Sequence, residues 1–195
     1  MLSAEANDDE ISTFNKMKYK QNSNTPVHFF MDDTAYFITA AIYEKRPLLA
    51  DEHIKTKLLE LIQKLFQEKG WTLDHWVILD NHYHLLGNSR KGEDLPKIIQ
   101  GIHGQSGFLI SQMANGEKPI GWNYWDYCPR DEKEYLVRLN YLLNNPIKHG
   151  YVTNLNDYPF SSFQSYLDKI GRTDLVKQFT NNPEYQEVKI EDDDF

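Results

Sequence analysis

The chain has 195 residues, 40% hydrophobic, 13% aromatic and 26% charged, which suits one core of ordinary size and excludes a fibrous or disordered chain. Its single cysteine, Cys128, excludes an intrachain disulfide and a cysteine-based zinc site. The net charge is −8, but residues 1–10 hold −4 and residues 183–195 hold −5, so the body between them carries +1: a nucleic-acid partner is not excluded, and charge gives it no support.

Residues 1–26 are polar and acidic and read as a flexible N-terminal arm. With no run of about 18 apolar residues and no basic-then-apolar start, the expectation is no membrane span, no signal peptide and a cytoplasmic protein. Residues 35–43 are aromatic and β-branched and predict a buried strand. Asp51 opens a helix on which Ile54, Leu58, Leu61, Ile62 and Leu65 recur at helical spacing, and Gly70 stops it. Residues 71–87 predict a β-hairpin with its turn at Asp80-Asn81. Pro96 starts a second helix that runs past Met113, and Ile120–Tyr127 reads as a strand. A third helix is expected from Asp131 to about Asn145, with Asp131 as N-cap, Glu134 three residues on, and Pro146 blocking continuation. A short helix covers Phe163–Ile170, and 171–195 reads as an acidic C-terminal tail. The order strand, helix, hairpin, helix, strand, helix predicts an α+β sandwich: a mainly antiparallel sheet with helices on one face, in one domain over 27–170.

Two short segments carry chemistry. The first is Asn81-His82-Tyr83-His84. Side chains alternate along a strand, so His82 and His84 share a face about 7 Å apart at the backbone. Two such imidazoles can share a metal ion, or can simply be polar residues on a half-solvated sheet face. The second is Tyr141-Leu142-Leu143-Asn144-Asn145-Pro146. Residues four apart on a helix share a face, so Tyr141 and Asn145 can point at one spot. A tyrosine hydroxyl can act as a nucleophile and an amide oxygen is a hard metal ligand. The plain alternative is a core tyrosine and an Asn-Pro helix end.

Together these segments resemble the single-tyrosine transposases that carry a histidine-hydrophobic-histidine (HUH) motif, above all the REP-associated tyrosine transposases and their IS200-like relatives. Trp76–Leu86 resembles the HUH strand. Tyr36-Phe-Ile-Thr39 followed by Arg46-Pro47-Leu48 resembles the first strand and its exit. Trp122–Asp126 followed by Arg130–Tyr135 resembles the aromatic segment. Tyr141–Asn145 with Pro146–Gly150 resembles the nucleophile helix and its exit, and Asp157–Ser162 a segment often found after it. The resemblance covers about residues 30–168 and implies a ferredoxin-like (RRM-like) fold.

By resemblance, His82, His84 and Asn145 are metal ligands and Tyr141 is the nucleophile. Ligand type alone leaves Zn²⁺ and Mn²⁺ equally open, and the family implies Mg²⁺ or Mn²⁺. The implied reaction is cleavage and transfer of single-stranded or hairpin DNA through a 5′-phosphotyrosine, with a free 3′-hydroxyl that can reverse the step. A tyrosine of ordinary pKa, about 10, needs help to lose its proton. The cation is one candidate for that help, and Lys148 or His149 is another. Lys97, His103, Trp122, Tyr124, Arg130 and Lys148 are the expected nucleic-acid contacts, with the aromatic residues stacking bases or else filling the core.

Asp80 departs from the family pattern, which has proline there, and either adds an oxygen ligand or only makes the turn. The helix after Pro96 is less basic than in relatives. That paucity of positive charge leaves open a catalytically silent nucleic-acid-binding relative, and a metal-dependent phosphoesterase is a third reading. A homodimer that exchanges tyrosines between subunits is also open.

Overall fold

The computed structural model describes residues 30–113 and 120–190. The arm assigned to residues 1–26 lies outside them. Strands β1 (Ala35–Ile42), β2 (Thr72–Ile78), β3 (His82–Asn88) and β4 (Trp122–Tyr127) form one antiparallel sheet in the order β2-β3-β1-β4. Helices α1 (Glu52–Glu68) and α2 (Leu95–Met113) connect the strands in the ferredoxin-like βαββαβ pattern.

Strand alternation divides the sheet into two working faces. On one, Tyr36, Ile38, Ala40 and Ile42 of β1 with Tyr83 and Leu85 of β3 meet Ile54, Leu58, Ile62 and Phe66 of α1 and Ile98, Ile99 and Ile102 of α2. Asp51 caps α1 by accepting from the backbone N–H groups of His53 and Ile54 at 2.8 and 3.2 Å. This is the expected sandwich of sheet and helices. The hairpin packs so tightly that a Cβ on Gly87 would lie 2.1 Å from the Thr72 carbonyl oxygen, which explains glycine within a central strand.

The opposite face carries Phe37, Val77 and Leu86 and receives α3 (Glu132–Lys148), α4 (Phe163–Ile170) and α5 (Arg172–Asn181), so these three helices add a layer beyond the sandwich. Asp131 caps α3 through the Glu134 N–H at 2.8 Å, as expected. Pro146 does not end the helix. It sits in the last turn, and the stop comes at Gly150, which adopts φ +72°. There the Gly150 N–H reaches the Ile147 carbonyl at 3.0 Å and the Tyr151 N–H reaches the Pro146 carbonyl at 2.9 Å, a Schellman closure.

Residues 171–190, expected as part of an acidic tail, are folded instead. Leu175 and Ile190 are buried, and Asn140 of α3, fully buried, accepts from Gln178 Nε2 at 2.7 Å and donates to the Gln178 carbonyl at 3.3 Å. Apolar residues at 175, 179, 185, 188 and 190 are too irregularly spaced to announce this packing against a strongly acidic background.

His103 of α2 stacks on Trp122 with ring centroids 4.6 Å apart, and its Nε2 lies 3.0 Å from the Tyr83 hydroxyl. Burial pushes its imidazole down to about 3, so the folded state holds it neutral. An unfolded histidine titrates near 6.5, so this contribution is complete above that pH and is lost as pH falls toward 3. Between pH 7 and 5 the native chain should lose roughly 2 kcal/mol through this group. Urea unfolding at both pH values checks it; the same pH difference in His103→Gln would show that the group is not responsible.

Candidate active site

β3 is a central strand, bonded to β1 and β2 on either side, so its side chains are held more firmly than those of an edge. His82 pairs in register with Ala41, and His84 with Thr39 and Val77. Both imidazoles project on the α3 side, with ring centroids 5.0 Å apart. His84 is fully buried, and its Nδ1 lies 2.8 Å from Thr39 Oγ1. Its pKa falls well below the usual histidine range, chiefly because burial penalises the cation and further through the positive fields of His82, His149 and Lys148. A neutral imidazole is the form that ligates metal.

His82 is oriented from behind. Its Nδ1 lies 2.6 Å from Asn81 Oδ1, and Asn81 Nδ2 donates to the Lys45 carbonyl at 3.1 Å. That carbonyl belongs to a bend in which Glu44 and Lys45 take positive φ, 61° and 50°, an uncommon conformation for residues with side chains. Asp80 in the hairpin turn forms an ion pair at 2.6 Å with Lys55, which is 5% exposed and lies over the Tyr158 and Phe160 rings. The carboxylate is engaged in holding the hairpin against α1, so the turn reading of Asp80 is the one the geometry favours.

α3 brings the second pair. Tyr141 and Asn145, one turn apart, are both buried against the sheet. The Tyr141 ring meets the edge of His84 at 5.3 Å and Phe37 at 6.1 Å. Its hydroxyl accepts a hydrogen bond from Lys148 Nζ at 3.1 Å. Tyr141 is only 2% exposed, and the Lys148 ammonium that bonds its oxygen also lies 4.6 Å from its ring centroid. Asn145 Oδ1 lies 3.1 Å from His82 Nε2.

These donors suit a cation. In the tautomer that donates Nδ1–H to Asn81, the Nε2 lone pair of His82 faces the Asn145 carbonyl oxygen, and a cation between them would satisfy both acceptors. His84 Nε2 is buried without a hydrogen-bond partner. Adjacent ligand atoms about 3 Å apart are what octahedral coordination at about 2.1 Å requires. Among the described residues no group of three His, Cys, Asp or Glu side chains could hold a metal, and the groups here that could hold one are two imidazoles and one amide. All of it comes from one chain and needs no exchange between subunits.

The other expected contacts are dispersed. His103, Trp122 and Tyr124 pack on the far face of the sheet beside α2, with Trp122 and Tyr124 against the core, so they form no open stacking platform over the imidazoles. Even residues of β4 share the face of Tyr36 and Ile38, and that parity decides it. Lys97, at the start of α2, is exposed on that same far layer. Arg130 is exposed and paired with Glu134, whose carboxylate also accepts from the Tyr127 hydroxyl at 2.6 Å. Lys148 alone of this group reaches the site.

Sequence reading missed Arg138. One turn before Tyr141, its guanidinium carbon lies 4.5 Å from the Tyr127 ring centroid and 5.6 Å from that of Phe37, the ring that stacks on His84 at 5.5 Å. The half-buried guanidinium also has a side-chain hydrogen bond with Tyr127, and its planar fork carries five N–H donors in all. An arginine at i−3 from the tyrosine was the available signal. His149, the C-cap of α3, brings its ring to 4.9 Å from His82.

Residues 31–127 match the sequence profile of the family described as "Transposase IS200 like". The chain belongs to this family. It is 25% identical over 139 residues to the REP-associated tyrosine transposase of Escherichia coli (strain K12), covering 69% of this chain and 79% of the relative. A Haemophilus influenzae protein assigned to the same group is 45% identical over 40 residues, 20% of this chain and 23% of that one. A solved structure of a REP-associated tyrosine transposase bound to a REP hairpin is 26% identical, with a TM-score of 0.60, covering 71% of this chain and 81% of that one. HUH-type members of the family generally use a divalent metal. No described helix is long and apolar enough to cross a membrane.

If Asn81 orients the first imidazole, Asn81→Ala should weaken Mn²⁺ binding about tenfold or more while the fold persists. Calorimetric titration of the metal alone reads this out, and native-like affinity in the variant refutes the orienting role.

Proposed function

We propose that this chain cleaves and rejoins single-stranded DNA, presented beside a hairpin, through a covalent link to Tyr141. The observation that carries the reading is the meeting, inside one chain, of a phenol, two imidazoles and an amide oxygen over a central strand. Tyr141 lies beyond the residues matched by the family profile, so its role rests on that geometry and on family membership together. The hairpin is proposed from the relative solved with one.

The chemistry follows from the placement. The Tyr141 oxygen attacks phosphorus, forming a tyrosyl phosphate, and the bond from phosphorus to the 3′-oxygen breaks. The 3′-oxygen takes up a proton and the phenol loses one, so the step balances without a nucleotide cofactor. Its reverse, with a different 3′-hydroxyl, joins strands. Lys148, already bonded to the phenol oxygen, stabilises the phenolate as the proton leaves. His82, His84 and Asn145 would hold Mg²⁺ or Mn²⁺, since an amide oxygen beside phosphate oxygens suits these hard ions. Bound there, the cation would polarise the scissile phosphate and neutralise charge that develops on it. Arg138 approaches the same face and would grip a phosphate oxygen with its fork.

A hairpin oligonucleotide labelled on both sides of the cut, incubated with the chain and Mg²⁺ or Mn²⁺, tests this. The expected result is a denaturation-resistant protein–DNA adduct that is absent in Tyr141→Phe. Cleavage that survives Tyr141→Phe would establish a phosphoesterase in its place. Binding without cleavage in every metal would establish a silent relative.

Arg138→Gln should slow adduct formation about tenfold to a hundredfold at saturating DNA, with Arg138→Lys recovering only part. Single-turnover rates decide it; unchanged rates in Arg138→Gln would remove the guanidinium from the mechanism.

A further inference from the structure

A second concavity lies on the catalytic face of the sheet, apart from the groups described so far. It is a cleft of about 530 Å³ between β2, the first half of α3, and α4, a volume within the range of small-molecule sites. His75 of β2 stands in its wall, two residues before Val77, and Val77 is the register partner of His84. Tyr135, from the other side, belongs to the helix that carries Tyr141. The cleft therefore extends the catalytic surface toward the β2 edge of the sheet.

Its lining is of two kinds. Flat rings come from His75, Tyr135 and Tyr166, the His75 and Tyr166 rings meeting edge-on at 4.7 Å and 82°. Donors come from Ser162, Ser165 and Lys169, whose spacing of three and four aligns them along one side of α4. Ser162 Oγ accepts the Trp76 backbone N–H at 3.0 Å and keeps its own proton to give. Ser165 and Lys169 are exposed, and neither makes a hydrogen bond or ion pair with a described residue. The Nδ1 of His75 is buried with no hydrogen-bond partner. Asp74, the one carboxylate in the lining, accepts from Asn88 Nδ2 at 2.6 Å.

Rings with π-faces beside an ammonium and hydroxyl donors match the two halves of a nucleotide. Stacking on aromatic side chains tolerates any base, while the donors recognise phosphate. We propose that this cleft receives one nucleotide of the single-stranded DNA beside the scissile phosphate, its base against Tyr135 and Tyr166 and its phosphate on Ser165 and Lys169. The assignment rests on the strand-transfer reading above. It gives the chain a means of setting which phosphate reaches Tyr141, because a base seated in the cleft fixes the register of the strand.

The test uses the full chain, a hairpin with a single-stranded flank, and two substitutions at exposed positions: Ser165→Trp, which fills the cleft, and Lys169→Gln, which removes the ammonium. Each flank nucleotide is made abasic in turn, and affinity is read by fluorescence anisotropy. In the native chain one position should be sensitive, with binding weakened about tenfold when its base is removed. Ser165→Trp should lower affinity by a similar factor and erase that sensitivity. Lys169→Gln should weaken binding to all sequences and reduce the salt slope by about one phosphate contact. Native-like affinity and base sensitivity in both variants, alongside a Tyr141-dependent adduct in the native chain, would overturn the cleft and leave strand transfer standing. Erased sensitivity without any adduct would support the cleft and overturn strand transfer. No binding of single-stranded DNA by the native chain would overturn both.

Discussion

The site depends on one contact made across the whole chain, the approach of Asn145 Oδ1 to His82 Nε2 at 3.1 Å. His82 is fixed by a central strand and by Asn81, while Asn145 is fixed by a helix that the sheet alone does not hold. The helix stays in place because Leu139, Leu142 and Leu143 bury against Phe37, Val77 and Leu86, and because its fully buried Asn140 is bonded to the α5 segment. The C-terminal helices thus help hold the candidate site together. The three hydrogen bonds that join Asn140 to Gln178 and Asn182 fix how α5 seats on α3.

Much of this was legible in the sequence because it is periodic. Alternation placed His82 and His84 on one face, and the four-residue repeat placed Tyr141 above Asn145; neither inference needed a tertiary contact. Caps at Asp51 and Asp131 were readable for the same reason, since a cap is a local arrangement of side chain and backbone. Pro146 misled because proline is excluded from helix interiors by a lost hydrogen bond and a clash, yet in a final turn the Schellman closure at Gly150 supplies the termination.

What could not be read was anything decided by which strands become neighbours. Arg138 matters because β1 and β4 bring Phe37 and Tyr127 together beneath it, a pairing set by sheet order. Trp122 and Tyr124 turned inward through their register with β1, where Trp122 pairs with Ile42 and Tyr124 with Ala40. One residue of slip would have placed both on the catalytic face. The cleft beside α4 is of the same kind, since it exists only where β2, α3 and α4 meet.

The charge of the chain also reads differently once folded. A net −8 argues against a polyanionic partner only if the charge is spread evenly, and the Debye length at physiological salt is about 8 Å. Around Tyr141 the structure gathers Arg138 and Lys148 of α3 and His149 at its C-cap, and Lys169 stands at the cleft on the same face. Of the described acids, Asp80 and Glu134 are taken up by Lys55 and Arg130. A phosphate at the tyrosine would lie beside the ammonium of Lys148 and near the guanidinium of Arg138. Weak overall attraction combined with a cationic site favours recognition of a particular DNA shape over indiscriminate binding, because little affinity comes from the sequence-independent backbone term.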